Sequence, residues 1–265
     1  MSGDGRAARV DLKIEDGLAI ISLVRPKAGN ALDDQSGREL NQAALESAMS
    51  SQVRAVLLRA DGPNFCFGGD LGHVANQKDP ARALREMTQD FHNAILTLTR
   101  MNAPLVCAIR GAATGAGLSL AAASDYVVAS ETALFAYAYT GVGFSADGGL
   151  TWTLPRLIGL RNFQTMYLTN RRVAAQEALD LGIVSEVVID TEMDARAHAL
   201  ALELSQGPTL AFGVVKRLAA DSFNSAFPAQ LQVESERLAE LVQTADAKGA
   251  IDALLNRRSP VFRGV

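Results

Sequence analysis

The chain has little sulfur, few histidines, no long apolar run and no block of like charge, and each scarcity removes a class of protein. Among 265 residues there are two cysteines, Cys66 and Cys107, too few for a thiolate metal cluster; both stand among apolar neighbours and read as free core thiols. The three histidines, His73, His92 and His198, are too scattered for metal-ligand spacing, so no metal site is expected. Lysine and arginine never run longer than two in a row and the formal net charge is -4, which argues against a nucleic-acid partner. The uncharged stretches Gly111 to Ser124 and Thr132 to Ala146 fall short of the roughly 18–20 apolar residues a membrane helix needs, so no membrane partner is expected. The start, MSGDGRAARVDLKIEDG, is polar and has no apolar run of the secretory kind; a cytoplasmic protein is expected. The 22 glycines have no three-residue period, and no GxGxxG follows the first strand, which removes a collagen-like chain and a simple Rossmann order.

What is present is an α/β pattern. With 48% hydrophobic residues, a chain of this length can bury a core without disulfides or metal. Residues 9–14 and 18–24 read as strands joined by Glu15-Asp16-Gly17, and a helical pattern runs from Asp34 to Met49. Val53 to Ala60 reads as a strand leading into the glycine-rich DGPNFCFGGDL. Strand, glycine turn and small-residue helix recur in LVCAIRGAATGAGLSLAAA, and DYVVASETALFAYAYTGVGFSADGGLTWTLP continues with two strands, a glycine turn and a helix. A recurrence of roughly 45–50 residues suggests a stacked α/β spiral. From about Val173 the pattern reads as wholly helical, with Gly182 and Gly207 as helix ends. The expected division is a spiral core over residues 1–200 and a helical region over 201–265, whose apolar positions Leu231, Leu238, Leu241 and Val242 form one stripe to bury.

A glycine turn between strand and helix brings backbone N–H groups close to a ligand, and two such turns facing each other make an oxyanion hole; tight packing asks for glycine as well. From residue 101 to residue 172 the carboxylates reduce to Asp125, Glu131 and Asp147. Asp125 opens a strand and Glu131 lies in a polar turn, both structural positions. Asp147 stands between a long uncharged run and Gly148-Gly149, and is read either as an acid/base or as a helix N-cap. His92, on a helix with Phe91, Ile95 and Leu98, reads by default as a packed histidine. Tyr137, Tyr139, Phe144 and Trp152 near Asp147 fit an aromatic or conjugated ligand, or the core. Residues 72–90 read as loops that set pocket size.

Three segments together resemble the crotonase superfamily, also called the enoyl-CoA hydratase/isomerase family: RPKAGNAL (25–32), VRAVLLRADGPNFCFGGDL (53–71) and APLVCAIRGAATGAGLSLAAASDYVVAS (103–130). The likeness continues to the terminal RSPVFRGV. It implies a crotonase-like ββα spiral with a C-terminal helical oligomerisation region, a homotrimer or a dimer of trimers, and an acyl-CoA thioester substrate, with no cofactor, coenzyme A being part of the substrate. By match, the N–H groups of Gly69 and Ala116 form the oxyanion hole, Ala116 standing where glycine is frequent. Acyl-CoA is expected along Arg25, Lys27 and Ala28, over Cys66, Phe67, Gly68, Asp70 and Leu71, and against Gly115 and Ser119. Phe262 and Arg263 are expected to reach a neighbouring subunit's nucleotide. The two glutamates of hydratases match Ser119 and Tyr139 here, which speaks against ordinary hydration. Asp147 matches the working aspartate of several isomerases, so the resemblance favours an isomerase with Asp147 as acid/base. The chlorobenzoyl-CoA dehalogenase branch, with histidine at the His92 position, an aromatic at Tyr139 and aspartate at Asp147, is an alternative, as are a hydratase and a non-catalytic acyl-CoA-binding relative.

Overall fold

The computed structural model describes residues 7–265, so the first six residues of the polar start lie outside it. Strands β1 (Val10–Glu15) and β2 (Leu18–Leu23) form an antiparallel hairpin around Asp16 and Gly17, as the turn chemistry predicts. Helix α1 (Asp34–Met49) starts where expected because Asp33 and Ser36 form a capping box. Strand β3 (Ala55–Ala60) leads through the glycine turn to a short helix α2 (Leu71–Ala75) and then to α3 (Pro80–Arg100), whose first residue is proline and whose cap is Asp79. Most of 72–90 is therefore helix and not loop. Apolar side chains at 84, 87, 91, 94 and 98 give α3 one buried stripe, and α1 packs along it.

The spiral then repeats. Strands β4 (Leu105–Ile109) and β5 (Ala112–Thr114) precede α4 (Ala116–Ala123); β6 (Tyr126–Ser130) and β7 (Leu134–Ala136) precede α5 (Leu150–Thr169). Strand β8 (Arg172–Ala174), helix α6 (Ala175–Leu181) and strand β9 (Glu186–Val188) follow. One six-stranded sheet runs β1-β2-β3-β4-β6-β9, parallel beyond the hairpin, and a three-stranded sheet runs β5-β7-β8. Isolated bridges Leu32–Gly69 and Cys66–Ala113 extend the pattern of the small sheet into the first turn of the spiral.

The wholly helical reading beyond Val173 needs correction, because β8 and β9 lie there. Three residues are too few to show a period, and each strand exists because a neighbour, β7 or β6, offers it an edge. Helices α7 (Met193–Ser205), α8 (Thr209–Ser222), α9 (Phe227–Leu241) and α10 (Ala245–Leu255) complete the chain. Gly182 ends α6 in a left-handed cap as expected, but α7 ends one residue before Gln206, and Gly207 is not its cap.

Alternation along β2 sorts the core. Ala19, Ile21 and Leu23 face the main core, while Leu18 and Ile20 join Leu57, Val106 and Val128 beneath Met193, Ala197, Leu200 and Ala201 of α7. Covered on both faces, the central strands can be apolar throughout. Asp125 is structural as read: it accepts the Leu105 N–H at 2.8 Å and pairs with Lys216 of α8 at 2.7 Å. The C-terminus folds back on α10, where Asp246 accepts the N–H groups of Arg263 and Gly264, both at 2.7 Å. No helix among the described residues is long and apolar enough to cross a membrane.

Cys66 and Cys107 are free and buried, and burial pushes the Cys66 thiol up to about 12 and the Cys107 thiol higher still. Neither is a thiolate near neutrality, so iodoacetamide is expected to label no cysteine in the native protein and two per chain in denaturant, read by mass. Labelling of the native form would overturn this packing.

Candidate active site

The two glycine turns meet beside α4. In the first, Leu32 donates its N–H to the Gly68 carbonyl at 2.8 Å and accepts the Asp70 N–H at 2.7 Å. That pairing turns the Gly69 N–H to the opposite side, where it donates to no described group. In the second, Gly115 donates to the Ala136 carbonyl at 3.2 Å, and Ala116, first residue of α4, carries an N–H with no intrahelical acceptor. Both N–H groups belong to residues lining one apolar cavity of about 800 Å³, counted out to its mouth. Its walls are α2 and α3 through Leu71, Val74, Leu84, Met87 and Phe91, the first turn through Phe67, and the segment after β7 through Val142 and Phe144.

Among the described residues two carboxylates reach this cavity, and they differ. Asp33 is engaged: Ser36 donates from its N–H and its hydroxyl, both at 2.9 Å, Arg9 lies at 3.1 Å and Arg25 at 3.4 Å. Burial pushes the Asp33 carboxyl up, but the Ser36 donors and the two guanidinium groups outweigh it and hold the group below the usual carboxylate range. Asp147 faces the cavity without a cationic anchor of that kind. Its Oδ1 accepts the Tyr139 hydroxyl at 2.5 Å, and its Oδ2 lies 3.8 Å from His92 Nε2. Burial, and then the charge of Asp147, push the Tyr139 phenol far above its ordinary value, so it stays a donor. Tyr139 opens a short 3-10 turn, Tyr139–Val142, just after Ala138, which sits at φ 61° and ψ -33°. A non-glycine residue there stores strain of about 1–3 kcal/mol, at the position that aims the phenol.

Asp147 is not the N-cap of α5: Gly149 is, and the Asp147 side chain points to Tyr139 instead. His92 is half-exposed rather than packed away, and its Nε2 accepts the Gly148 N–H at 3.1 Å. Ser119 is fully buried and does not line the cavity; its hydroxyl lies 3.0 Å from the Asp147 carbonyl, 3.2 Å from the Tyr139 hydroxyl and 3.3 Å from the Gly115 carbonyl. The Cys66 side chain is likewise fully buried, so this residue contributes backbone to the turn and no group to the cavity.

Phe67, Gly68, Leu71 and Gly115 line the cavity as expected. Arg25 is tied at 2.8 Å to Asp70, which also caps α2, while Lys27 and Ala28 form a 3-10 turn behind the first glycine turn. Phe262 and Arg263 lie at the far end of α1, where the Phe262 carbonyl accepts from Arg54 at 2.9 Å. Of the four aromatics around Asp147, Tyr139 and Phe144 reach the cavity. Tyr137 packs against Phe163 and Tyr167, and Trp152 packs against Phe223. Phe91, expected on a helix face, lines the cavity, and the wall residues Leu84, Met87 and Thr88, absent from the sequence expectations, continue that face at a spacing of three and four.

Fold and site define a ββα-spiral enzyme with an apolar cleft. Residues 13–265 match the family described as enoyl-CoA hydratase/isomerase. A Rhodobacter capsulatus protein described as "probable enoyl-CoA hydratase" is 37% identical over 253 residues, covering 95% of this chain and 96% of its own length. The 1,2-epoxyphenylacetyl-CoA isomerase of Escherichia coli K12 is 30% identical over 253 residues, covering 95% and 97%. The crystal structure of an enoyl-CoA hydratase from Polaromonas sp. JS666 superposes with a TM-score of 0.90 at 28% identity, over 96% of this chain and 99% of that one. The chain belongs to the enoyl-CoA hydratase/isomerase family, the crotonase superfamily, and acts on acyl-CoA.

Proposed function

We propose that this enzyme is an acyl-CoA isomerase that moves a proton, and with it a C=C bond, through a thioester enolate. One observation carries the reading: of the two carboxylates on the cavity, Asp33 is engaged by arginines and a helix end, which leaves Asp147 as the one free to exchange a proton. Syn hydration calls for both an activated water and a proton donor, and the two positions that match hydratase glutamates hold a buried serine and a phenol that stays protonated. Neither is a base.

The thioester carbonyl accepts the N–H groups of Gly69 and Ala116. Asp147 Oδ2, the oxygen Tyr139 does not occupy, takes a proton from a carbon beside the acyl π-system. The C–H electron pair passes into the enolate, whose oxygen the two amides hold. The same proton then returns to another carbon of the conjugated system, and the double bond lies one position along. Atoms and charge balance with no further cofactor, coenzyme A entering as part of the substrate. The exposed apolar side chains of α9, Phe227, Leu231 and Leu238 among them, support a homotrimeric or hexameric assembly.

Ultraviolet absorbance tests the reading. Purified enzyme is given a 3-enoyl-CoA, crotonyl-CoA and a 4-halobenzoyl-CoA in turn. The 3-enoyl-CoA is expected to convert to its conjugated isomer at least about tenfold faster than crotonyl-CoA is hydrated. Dominant hydration, halide release, or binding without turnover would each overturn the proposal.

A further inference from the structure

The peptide that joins Asp147 to Gly148 is gripped at both of its polar atoms by side chains from two other helices. On one side the Ser119 hydroxyl of α4 donates to the Asp147 carbonyl at 3.0 Å. On the other, Gly148 donates its N–H to Nε2 of His92 on α3 at 3.1 Å. The peptide is also seated closely. Gly148 has φ +61°, and a Cβ there would meet Phe91 at 2.7 Å, the Ser119 Cβ at 2.9 Å and Ile95 at 3.1 Å. The carboxylate of Asp147 is one χ1 rotation from this peptide, so its direction depends on how the peptide is held.

We propose that Ser119 and His92 are positioning residues that clamp the Asp147–Gly148 peptide, His92 serving as a neutral hydrogen-bond acceptor and not as a base or a cation toward Asp147. The 3.8 Å approach of His92 Nε2 to Asp147 Oδ2 has the length of an ion pair. An N–H aimed at Nε2, however, occupies the lone pair that a proton would need, which leaves the imidazole proton on Nδ1. A water-activating role would require that same lone pair. Ser119 is placed for its task in a comparable way: the Tyr139 proton goes to Asp147 Oδ1, so the serine proton is left for a carbonyl, and that of Asp147 at 3.0 Å lies nearer than that of Gly115 at 3.3 Å.

The kinetic part of the test rests on the isomerase reading, and the spectroscopic part does not. His92→Leu removes the acceptor and is expected to lower kcat about 10²-fold with KM within about twofold, because a displacement near 1 Å costs that much. His92→Gln, whose carbonyl oxygen can accept from Gly148, is expected to recover most of that loss. Ser119→Ala should lower kcat about tenfold, the worth of one hydrogen bond. If His92→Gln is as slow as His92→Leu, the histidine does proton chemistry and the clamp is wrong. Independently, 15N NMR of histidine-labelled wild-type protein is expected to show His92 Nε2 as the bare nitrogen and Nδ1 as protonated. A proton on Nε2 would overturn the proposal even if the enzyme turns out to catalyse a different acyl-CoA reaction.

Discussion

Asp147→Asn is expected to lower isomerisation by roughly 10²–10⁴-fold while acyl-CoA binding stays within about twofold. Asparagine keeps the shape of the side chain and an oxygen that can accept the Tyr139 hydroxyl, so the wall of the cavity is preserved. What it loses is the capacity to take a proton. Asp33 cannot stand in for it, because Arg9, Arg25 and the Ser36 donors favour its ionised form and fill its oxygens. The residual rate measures what the Gly69 and Ala116 amides contribute alone, since donors of that kind still stabilise an enolate formed with solvent as base. Absorbance at the conjugated thioester band gives the rate, and calorimetry with a saturated acyl-CoA gives the affinity. A variant within tenfold of wild type would remove Asp147 from the chemistry.

Much of the fold was legible where local chemistry decides it. The hairpin, α1 and the end of α6 stand at the positions their turn and cap residues predict, since each depends on contacts within a few residues. The smaller sheet was legible only in β7, the second of the two strands read between Asp125 and the glycine turn that follows. Its strands β5, β7 and β8 are three residues long, and their pairing comes from the stacking of successive spiral turns rather than from any periodicity of their own. The same limit hid β9, which forms only because β6 presents an edge. Residues 80–90, read as loop, carry a helix signal of their own in proline at the first position and apolar side chains at 84, 87 and 91.

The site divides in a similar way. Glycine turns between strand and helix point to backbone donors but serve tight packing as well, so it is the family resemblance that singles out Gly69 and Ala116, whereas Asp147 stands out in a stretch poor in carboxylates. The contacts of Ser119 and His92 were not legible. Sequence position matches Ser119 to a catalytic glutamate, whereas the structure buries it and turns its hydroxyl to main chain. Spacing gave His92 no partner, since Gly148 lies 56 residues away and comes near only because α3 crosses the start of α5. The strained Ala138 backbone, which aims Tyr139, has no signature in the sequence at all.

Adding one methyl group at Gly117 is expected to cost about 2–3 kcal/mol of stability, read as a shift in the urea midpoint. Gly117 is the second residue of α4, and its backbone angles suit any residue; space is what forbids a side chain. A Cβ would lie 2.5 Å from the Cys66 carbonyl oxygen and 2.9 Å from the Cys66 Cβ. The oxygen is main chain, so no rotamer change relieves the clash, and Cys66 cannot simply move. Its N–H donates to Ala112 and its carbonyl accepts from Thr114, both at 2.9 Å. Strain at this crossing therefore spreads into both turns, three residues before Gly69 on one side and next to Ala116 on the other. Gly117→Ala should accordingly lower kcat about 10²–10³-fold, as loss of one oxyanion donor does. Gly249 of α10 is the contrasting case: its Cβ would meet nothing within 4 Å. Gly249→Ala should raise stability by about 0.5–1 kcal/mol and leave turnover unchanged. If Gly117→Ala keeps wild-type midpoint and kcat, the two turns do not depend on their contact at Cys66, and the pairing of their amides must be held from elsewhere.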